Sequence, residues 1–340
     1  MHALVRSACL TNYREVALAA GLSPQRMLSD AGLGMGCLRE PDLKVPAERV
    51  RCLLEDSAVK ARDDSFGLRM AESRQLSNLG PVGLLLRDQP TVRDLLDVLL
   101  RYHRTLNGAL SFAVEEAAAG AVLVRLDLVV GEAAVVRQAV ELALGVLMRL
   151  LQQHLGADWV PRRVCLIHGA PSKLGMHERA FGPRLHFGQE LNGIVLGSAD
   201  LDVRNPRADL AMARYVQQLL DASIGSPASS MRDEVKHAIV MLLPTGRCTI
   251  RKVAEHLGVA SRTLQRRLSE EGDAFSAVVN DVRASLAARH LANGERSMLQ
   301  VAEQLGFSEQ AGFSRWHREQ FGCSPRERRA ARLLPPQASA

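Results

Sequence analysis

The chain has 340 residues, of which 47% are hydrophobic and 24% are charged, and its mean hydropathy is close to zero. This length suits two or three domains, and the composition excludes a disordered chain. No apolar run reaches the roughly 18–20 residues of a membrane span, and the first ten residues lack the apolar core of a signal peptide, so we expect a cytoplasmic protein that does not bind a membrane.

The cysteines and the charge distribution restrict the classes of partner. The six cysteines are scattered without a Cys-x-x-Cys pair, which indicates reduced thiols; neither a metal site nor a cofactor is expected. Of the net charge of +6, most lies in residues 226–340, where 17 Lys and Arg face 12 Asp and Glu, against 26 and 25 in the first 225 residues. A basic final third predicts an anionic partner for that part alone.

The first 222 residues contain both helical and strand patterns. Apolar residues at steps of three and four predict helices at Tyr13–Ala20, Ala47–Ala61, Val92–Leu106, Glu132–Leu155 and Asp209–Leu220. Alternation predicts a hairpin of two strands and two further short strands, at Ala109–Glu115, Ala121–Val129, Arg163–Ile167 and Gly193–Leu196. These elements predict an α+β domain in which helices pack on one face of a small mixed sheet.

This part of the chain shows no catalytic signature. The glycines of Gly32-x-Gly34-x-Gly36 follow no strand, which favours a loop over a phosphate site, and Asp200-x-Asp202 is typical of an exposed turn. Four polar or aromatic residues near element ends are expected to be structural: Tyr102, His103, Trp159 and His168. Glu132–Leu155 is a candidate dimer surface, although a place in the core is the favoured interpretation.

A run of small polar residues divides the chain. Ala222–Ser230 is rich in Ser, Gly and Pro, a composition that joins folded units. We therefore predict a regulatory domain at 1–222, a linker at 223–230, a helical domain at 231–332 and a tail at 333–340.

The last third contains an internal repeat. Val253-Ala-Glu-His-Leu-Gly258 recurs 48 residues later as Val301-Ala-Glu-Gln-Leu-Gly306, and each copy predicts a short helix that ends at a glycine. Ser297 and Gln300 have the spacing of a capping box before the second copy. After each glycine comes a helix rich in Arg, Gln and Ser, at Ser261–Leu268 and Glu309–Arg318. Each pair predicts a helix-turn-helix.

A predicted helix, Phe275–Ala292, connects the two copies. Its 18 residues span about 27 Å. Such a strut could hold two recognition helices near the roughly 34 Å that separates successive major-groove faces of B-DNA. One polypeptide could then bind DNA as a covalent dimer does.

The C-terminal third resembles AraC/XylS-type transcription regulators. The segments that carry the resemblance are Leu264–Gly272, Gly306–Arg315 and Phe321–Pro325. A fainter likeness connects three segments of the N-terminal part with the α+β, non-cupin sensor domain of one AraC subfamily: Leu79–Gly83, Gln89–Thr91 and His186–Asn192. The resemblance implies a regulator whose first domain senses a small molecule and whose double helix-turn-helix binds double-stranded DNA in two consecutive major grooves. RNA polymerase and a second copy of the chain are further candidate partners.

The resemblance also assigns roles on the two recognition helices. Arginine pairs with guanine, and glutamine with adenine, through two hydrogen bonds in the major groove. The candidate base-reading residues are Arg262, Gln265, Arg266, Gln310, Ser314 and Arg315. The candidate phosphate contacts are Ser261, Arg267, Arg318, Arg326 and Arg329.

Three positions depart from the family pattern. Ala260 stands where a capping Ser is common, so we expect Ser261 to cap the helix one residue later. His317 replaces a buried Phe, so either His317 finds a buried partner or Trp316 refills the core. Arg328 replaces an aromatic residue, which puts the closing of the last helix in doubt.

Two other functions remain open on the sequence alone. The first 225 residues could be a DNA-tethered enzyme of the alkylation-repair type, although Cys9, Cys37 and Cys52 are too dispersed to hold zinc. The basic domain could instead be an architectural binder without sequence preference.

Overall fold

The computed structural model describes residues 3–117, 119–129, 135–223, 230–246, 248–257, 259–292 and 296–333. The chain forms two compact units. The first comprises Met1–Leu128 and Val136–Pro227, and the second comprises Val129–Val135 and Ala228–Ala340. Most of the predicted linker, residues 224–229, and the tail beyond 333 lie outside the described residues.

The first unit combines nine helices with seven strands in its described part. The helices are α1 (Tyr13–Ala19), α2 (Pro24–Asp30), α3 (Ala47–Ala61), α4 (Phe66–Glu72), α5 (Pro81–Arg87), α6 (Val92–Leu106), α7 (Arg137–Leu155), α8 (Gly175–Phe181) and α9 (Leu210–Ser223). The strands are β1 (Leu4–Arg6), β2 (Lys44–Pro46), β3 (Leu110–Ala117), β4 (Ala121–Leu128), β5 (Arg163–Cys165), β6 (Leu185–His186) and β7 (Gly193–Gly197).

The main sheet is mixed, as the sequence predicts. Its strand order is β3-β4-β7-β5-β6; β5 and β6 are parallel and the other neighbours are antiparallel. β3 and β4 form the predicted hairpin, in which Ala117 faces Ala121. Ala119 and Gly120 take φ values of 58° and 62° in the turn, a conformation that glycine adopts without strain. A separate two-stranded sheet pairs β1 with β2.

Helix α7 lies in the core of the first unit. It contacts α3, α4, β4 and β7. A Cβ on Gly67 of α4 would lie 2.2 Å from the carbonyl oxygen of Gln138, and one on Gly145 would lie 2.7 Å from the Cβ of Ala71, so the two helices approach too closely for any side chain at these glycines. Leu142 and Leu150 are buried. α7 thus has the core role that the sequence favours over a dimer surface; of its predicted first turn, residues 132–134 lie outside the described part.

The second unit consists of seven helices in its described part, which are α10 (Met231–Leu242), α11 (Ile250–His256), α12 (Ser261–Glu270), α13 (Phe275–Ala292), α14 (Met298–Gln304), α15 (Gln310–Phe321) and α16 (Pro325–Leu333). One hydrophobic core joins α10 to α15, and α16 packs against α13 and α15. The strut α13 has the predicted bounds, and its residues Val278, Val282 and Leu286 are buried in that core. All-α packing around the strut confirms the fold class predicted for this part.

Candidate nucleic-acid interface

The first helix-turn-helix consists of α11 and α12. Thr249 caps α11 by accepting a hydrogen bond from the Lys252 N–H at 3.3 Å. Small Ala254 on α11 and Leu264 and Leu268 on α12 are almost completely buried, so the two helices share one apolar contact. The repeat glycine Gly258 lies outside the described residues. The expected cap at Ser261 is wrong: Ser261 is the first helical residue, and Ala260 occupies the cap position without a side-chain hydrogen bond.

The outer face of α12 presents the first group of candidate base-reading residues. Arg262, Gln265 and Arg266 are all exposed on this face. The side chain of Arg266 is 70% exposed, and its Nε lies 3.6 Å from Glu270 Oε1. Such an exposed pair is weak, so the guanidinium is free to exchange the carboxylate for a base. The phosphate candidate Arg267 is exposed, and Ser261 is half-buried.

The second helix-turn-helix consists of α14 and α15. Ser297 and Gln300 form the predicted capping box: Ser297 Oγ accepts from the Gln300 N–H at 3.2 Å, and Gln300 Oε1 accepts from the Ser297 N–H at 2.8 Å. Gly306 ends the first helix with a φ of 72°, the left-handed conformation that its place in the repeat predicts. Glu309 is the cap position of α15, not its first residue.

The outer face of α15 presents the second group. Arg315 is 75% exposed, and its Nη2 lies 3.7 Å from Glu309 Oε1, which parallels the arrangement of Arg266 on α12. Gln310 and Ser314 are half-buried and the phosphate candidate Arg318 is exposed. Each recognition helix therefore carries one highly exposed arginine beside a glutamate of its own helix end.

An aromatic cluster forms at the buried face of α15. It consists of Phe307, Phe313, Trp316, His317 and Phe321, whose neighbouring ring centroids lie 4.7–6.4 Å apart. His317 is completely buried and its Nδ1–H donates to the carbonyl oxygen of Cys323 at 2.8 Å. Burial lowers the pKa of His317. His317 thus finds a buried partner, and Trp316 packs beside it.

The last helix closes on this cluster despite Arg328. The guanidinium carbon of Arg328 lies 4.1 Å from the ring centroid of Phe321, so a cation–π contact takes the place of an aromatic pair. Ser324 and Glu327 form a capping box at the start of α16.

The remaining two phosphate candidates differ in orientation. Arg326 is exposed. Arg329 is half-buried: its Nη1 donates to the carbonyl oxygen of Arg296 at 2.7 Å, and its Nε and Nη2 are buried without a hydrogen-bond partner among the described residues. The phosphate contact of Arg329 stays a prediction, and it requires the guanidinium to leave the carbonyl of Arg296.

An ionic cluster, which sequence reasoning missed, holds the end of α12 to the start of α10. Its members are Arg232, Glu271, Asp273 and Asp281. Glu271 accepts hydrogen bonds from the backbone N–H groups of Met231, at 2.6 Å, and Arg232, at 3.0 Å, while the Arg232 guanidinium pairs with both aspartates. A carboxylate at a helix N-terminus is stabilised by the helix dipole. No local spacing relates positions about 40 residues apart, so the sequence offers no signal for this cluster.

In the first unit, two of the residues that the sequence predicts to be structural, Tyr102 and His168, contact neighbouring side chains. The hydroxyl of Tyr102 donates to Asp221 Oδ1 at 2.6 Å. His168 Nε2 lies 3.1 Å from Glu141 Oε1, and the buried His177 donates to the same oxygen at 2.9 Å. Burial raises the pKa of Glu141, but the hydrogen bonds and charges of the two histidines outweigh it and lower that pKa to about 2.

The other polar motifs of the first unit are also accounted for. Gly32 has a φ of 68° and ends the turn after α2, as expected of a loop. Asp200 Oδ2 accepts from the Gly197 N–H at 2.8 Å, and Asp202 pairs with Arg93 at 3.0 Å. Within the described ranges, no group of three or more His, Cys, Asp or Glu residues is placed to hold a metal ion, and none of the described helices combines the length and apolarity of a membrane span.

A polar cleft of about 480 Å³ lies on the first unit. Several charged side chains that line the cleft form ion pairs: Asp63 pairs with Arg69 at 2.6 Å, and Asp64 with Arg137 at 3.4 Å. The lining residues are Arg62, Asp63, Asp64, Ser65, Arg69, Ser172, Lys173, Gly175, Met176 and Arg179.

Each of the two units matches a known family of domains. Residues 21–205, more than half of the chain, match the N-terminal arabinose-binding domain of the AraC transcription regulator, and residues 253–331 match a helix-turn-helix domain. The chain is 28% identical to the HTH-type transcriptional regulator VirS of Mycobacterium tuberculosis over 96% of each chain, and 22% identical to the ornithine utilization regulator of Pseudomonas aeruginosa over 92% of each.

A similar solved structure is that of the transcriptional regulator CdpR from Pseudomonas aeruginosa, with a TM-score of 0.45 and 20% identity over 93% of this chain and 96% of that one. The named relatives are regulators, which does not favour the enzyme or the architectural binder. The match over more than half the chain, together with the two helix-turn-helix motifs, shows that this protein belongs to the AraC family of DNA-binding transcription regulators.

Proposed function

We propose that this regulator binds two successive major grooves of one DNA duplex, α12 in the first and α15 in the second. The observation that carries the proposal is the pair of recognition helices in one core, each presenting an arginine at least 70% exposed. The helices α12 and α15 differ in sequence, so the two half-sites that they bind differ as well.

Base reading is assigned to the outer faces of both recognition helices. Arg266 and Arg315 would each pair with guanine O6 and N7, and Gln265 and Gln310 with adenine. Arg262 and Ser314 flank these positions. The exposed Arg267, Arg318 and Arg326 would bind phosphates, and so would Ser261 at the start of α12.

The test uses the full chain and duplexes selected from a random pool by binding. Hydroxyl-radical footprinting should show two protected segments about one helical turn apart. Arg266→Ala and Arg315→Ala should each cost about 1–3 kcal/mol of binding free energy and relax preference at one base pair, in different half-sites. Arg326→Ala should weaken binding to all sequences alike and reduce the salt slope by about one unit.

The matched control is Arg251→Ala, which removes an exposed arginine from α11 and should leave base preference unchanged. Equal losses on selected and random DNA for both Arg266→Ala and Arg315→Ala would contradict base reading. A footprint over a single groove segment would contradict two-groove binding.

We further infer that a small molecule bound by the first unit modulates DNA binding, which requires different affinities for two states of the protein. The match to an arabinose-binding domain supports this assignment. Because coupling is reciprocal, a metabolite that changes DNA affinity must itself bind more or less tightly when DNA is present, which calorimetry with and without the selected duplex measures. Sedimentation tests a homodimer, and co-elution with RNA polymerase tests that contact.

A further inference from the structure

Two polar side chains of the strut reach the second helix-turn-helix. Asn280 and Arg283 lie three residues apart on α13, so they project from one face of that helix. Asn280 Oδ1 accepts a hydrogen bond from Trp316 Nε1–H of α15 at 3.2 Å. Arg283 Nε–H donates to the carbonyl oxygen of Leu305 at 3.0 Å. One contact thus holds the recognition helix and the other holds the turn that precedes it.

Arg283 makes two contacts at that turn. Leu305 is the C-terminal cap residue of α14 and is completely buried. Because it stands at the end of the helix, its carbonyl is one of the terminal acceptors that have no partner within the helix. The guanidinium carbon of Arg283 also lies 4.5 Å from the ring centroid of Phe307. A cation over an aromatic face is an orientation-dependent contact, and Arg283 combines it with a directional hydrogen bond.

These contacts continue to the inner face of α15. The Phe307 ring lies 5.8 Å from Phe313 and 5.6 Å from Trp316, both on α15. Ser314 and Arg315 stand between those two residues in the sequence, on the opposite, outer face. Any rotation of α15 about its axis that redirected Arg315 would therefore move Phe313 and Trp316 away from Phe307 and Asn280.

We propose that Asn280 and Arg283 are positioning residues that set the orientation of α15, and hence the contact with the second half-site, without touching DNA. The inference rests on the two-groove binding proposed above. The contacts of Asn280 and Arg283 described above are with α14, the turn and α15, whereas α12 is held by its buried leucines and, at its end, by the ionic cluster. The expected consequence is a defect confined to one half-site.

The experiment measures full-length protein on three duplexes: the selected site and versions with either half-site scrambled. The footprint of Arg315→Ala identifies the half-site of α15. Asn280→Leu and Arg283→Gln should each weaken binding to the intact site about tenfold and abolish protection over the half-site of α15. Their affinity for the duplex in which that half-site is scrambled should equal the wild-type value.

Conservative and control variants separate positioning from stability. Asn280→Asp keeps an acceptor for Trp316 and should retain protection over both half-sites. Ser276→Ala, on the exposed side of α13, should behave as the wild type. Arg283→Lys keeps the charge but not the planar fork, and should give an intermediate loss on the same half-site only.

The outcomes distinguish this inference from the function on which it rests. A wild-type footprint over one groove segment contradicts two-groove binding. A normal two-segment wild-type footprint with equal losses on both half-sites in Asn280→Leu, or with no loss, overturns the positioning role alone. Thermal unfolding of each variant is followed in parallel, and if Arg283→Gln does not fold, the half-site ratio of Asn280→Leu decides.

Discussion

The two helix-turn-helix motifs arise from one repeated sequence pattern and share one apolar core, but different contacts supplement that core at their recognition helices. α12 is joined to α10 by the ionic cluster, in which Arg232 and Glu271 make charge-assisted hydrogen bonds at a partly exposed surface. α15 rests on the aromatic cluster, whose Phe313 and His317 are completely buried. Ionic contacts weaken with salt and change with pH, whereas aromatic packing depends on shape and buried area. The two half-sites should therefore respond differently to solution conditions.

The largest expected effect is that of Phe313→Ala. Removing a fully buried aromatic ring costs about 3–5 kcal/mol, here from the local stability of the second helix-turn-helix, and the loss should be similar at low and high salt. Hydrogen exchange of α15 amides in the full chain measures it. Leu264→Ala is the matched truncation in the first motif; a Phe313→Ala loss below 1 kcal/mol, or one that vanishes in 1 M salt, would contradict the comparison.

Arg232→Ala should have a smaller effect that depends on salt. The Arg232 side chain is 33% exposed and that of Asp273 is 15% exposed, so the ion pairs are partly screened. We expect a loss of about 1 kcal/mol at low salt, and less in 1 M salt, where the screening length is about 3 Å. Amide exchange at the end of α12 reports it, with Arg251→Ala as the exposed-arginine control. An equal loss at both salt concentrations would show that packing, not charge, joins α12 to α10.

The smallest effect concerns pH and His317. Because burial lowers the pKa of His317, the unfolded chain binds a proton more readily than the folded one just below pH 6.5. The contribution of His317 to stability is therefore complete above that pH and decreases as the pH falls. His317→Phe should remove this dependence, so its melting temperature should change less between pH 7.5 and 5.5 than that of the wild type. Parallel curves for the two proteins would argue that His317 binds a proton equally well in the folded and unfolded states.

Local periodicity predicts the longer elements well. The bounds of α3, α6 and α13 agree with the prediction at both ends, because apolar residues at steps of three and four define their buried faces over 15 to 18 residues. The seven-residue helices α4, α5 and α8 are not predicted, because fewer than two turns carry little pattern. Among helices of the same length, α11 and α14 are predicted because the repeat identifies them. The capping box of Ser297 and Gln300 was predictable because its two hydrogen bonds are local.

The candidate site, too, could be predicted only in part from the sequence. The repeat alone predicts the outer faces of α12 and α15, because helical spacing places the arginines on the side of each helix opposite the buried Leu264 and Phe313. It does not reveal that Arg329 turns inward to the carbonyl of Arg296, because that depends on how α16 packs. Nor does it place the Cys323 carbonyl beside His317, which decides how a histidine occupies an aromatic site.

By itself, the amino-acid sequence indicated the family and the double helix-turn-helix, since both follow from patterns spaced within a few residues or from a repeat at fixed offset. The tertiary structure decided how each recognition helix is held: Glu271 at the start of α10, Arg283 at the turn before α15, and Asn280 against Trp316. These contacts join positions 22 to 40 residues apart, and packing of the helices around α13 brings them within hydrogen-bond distance. Directional bonds of this kind depend on three-dimensional proximity, which hydrophobic periodicity does not encode.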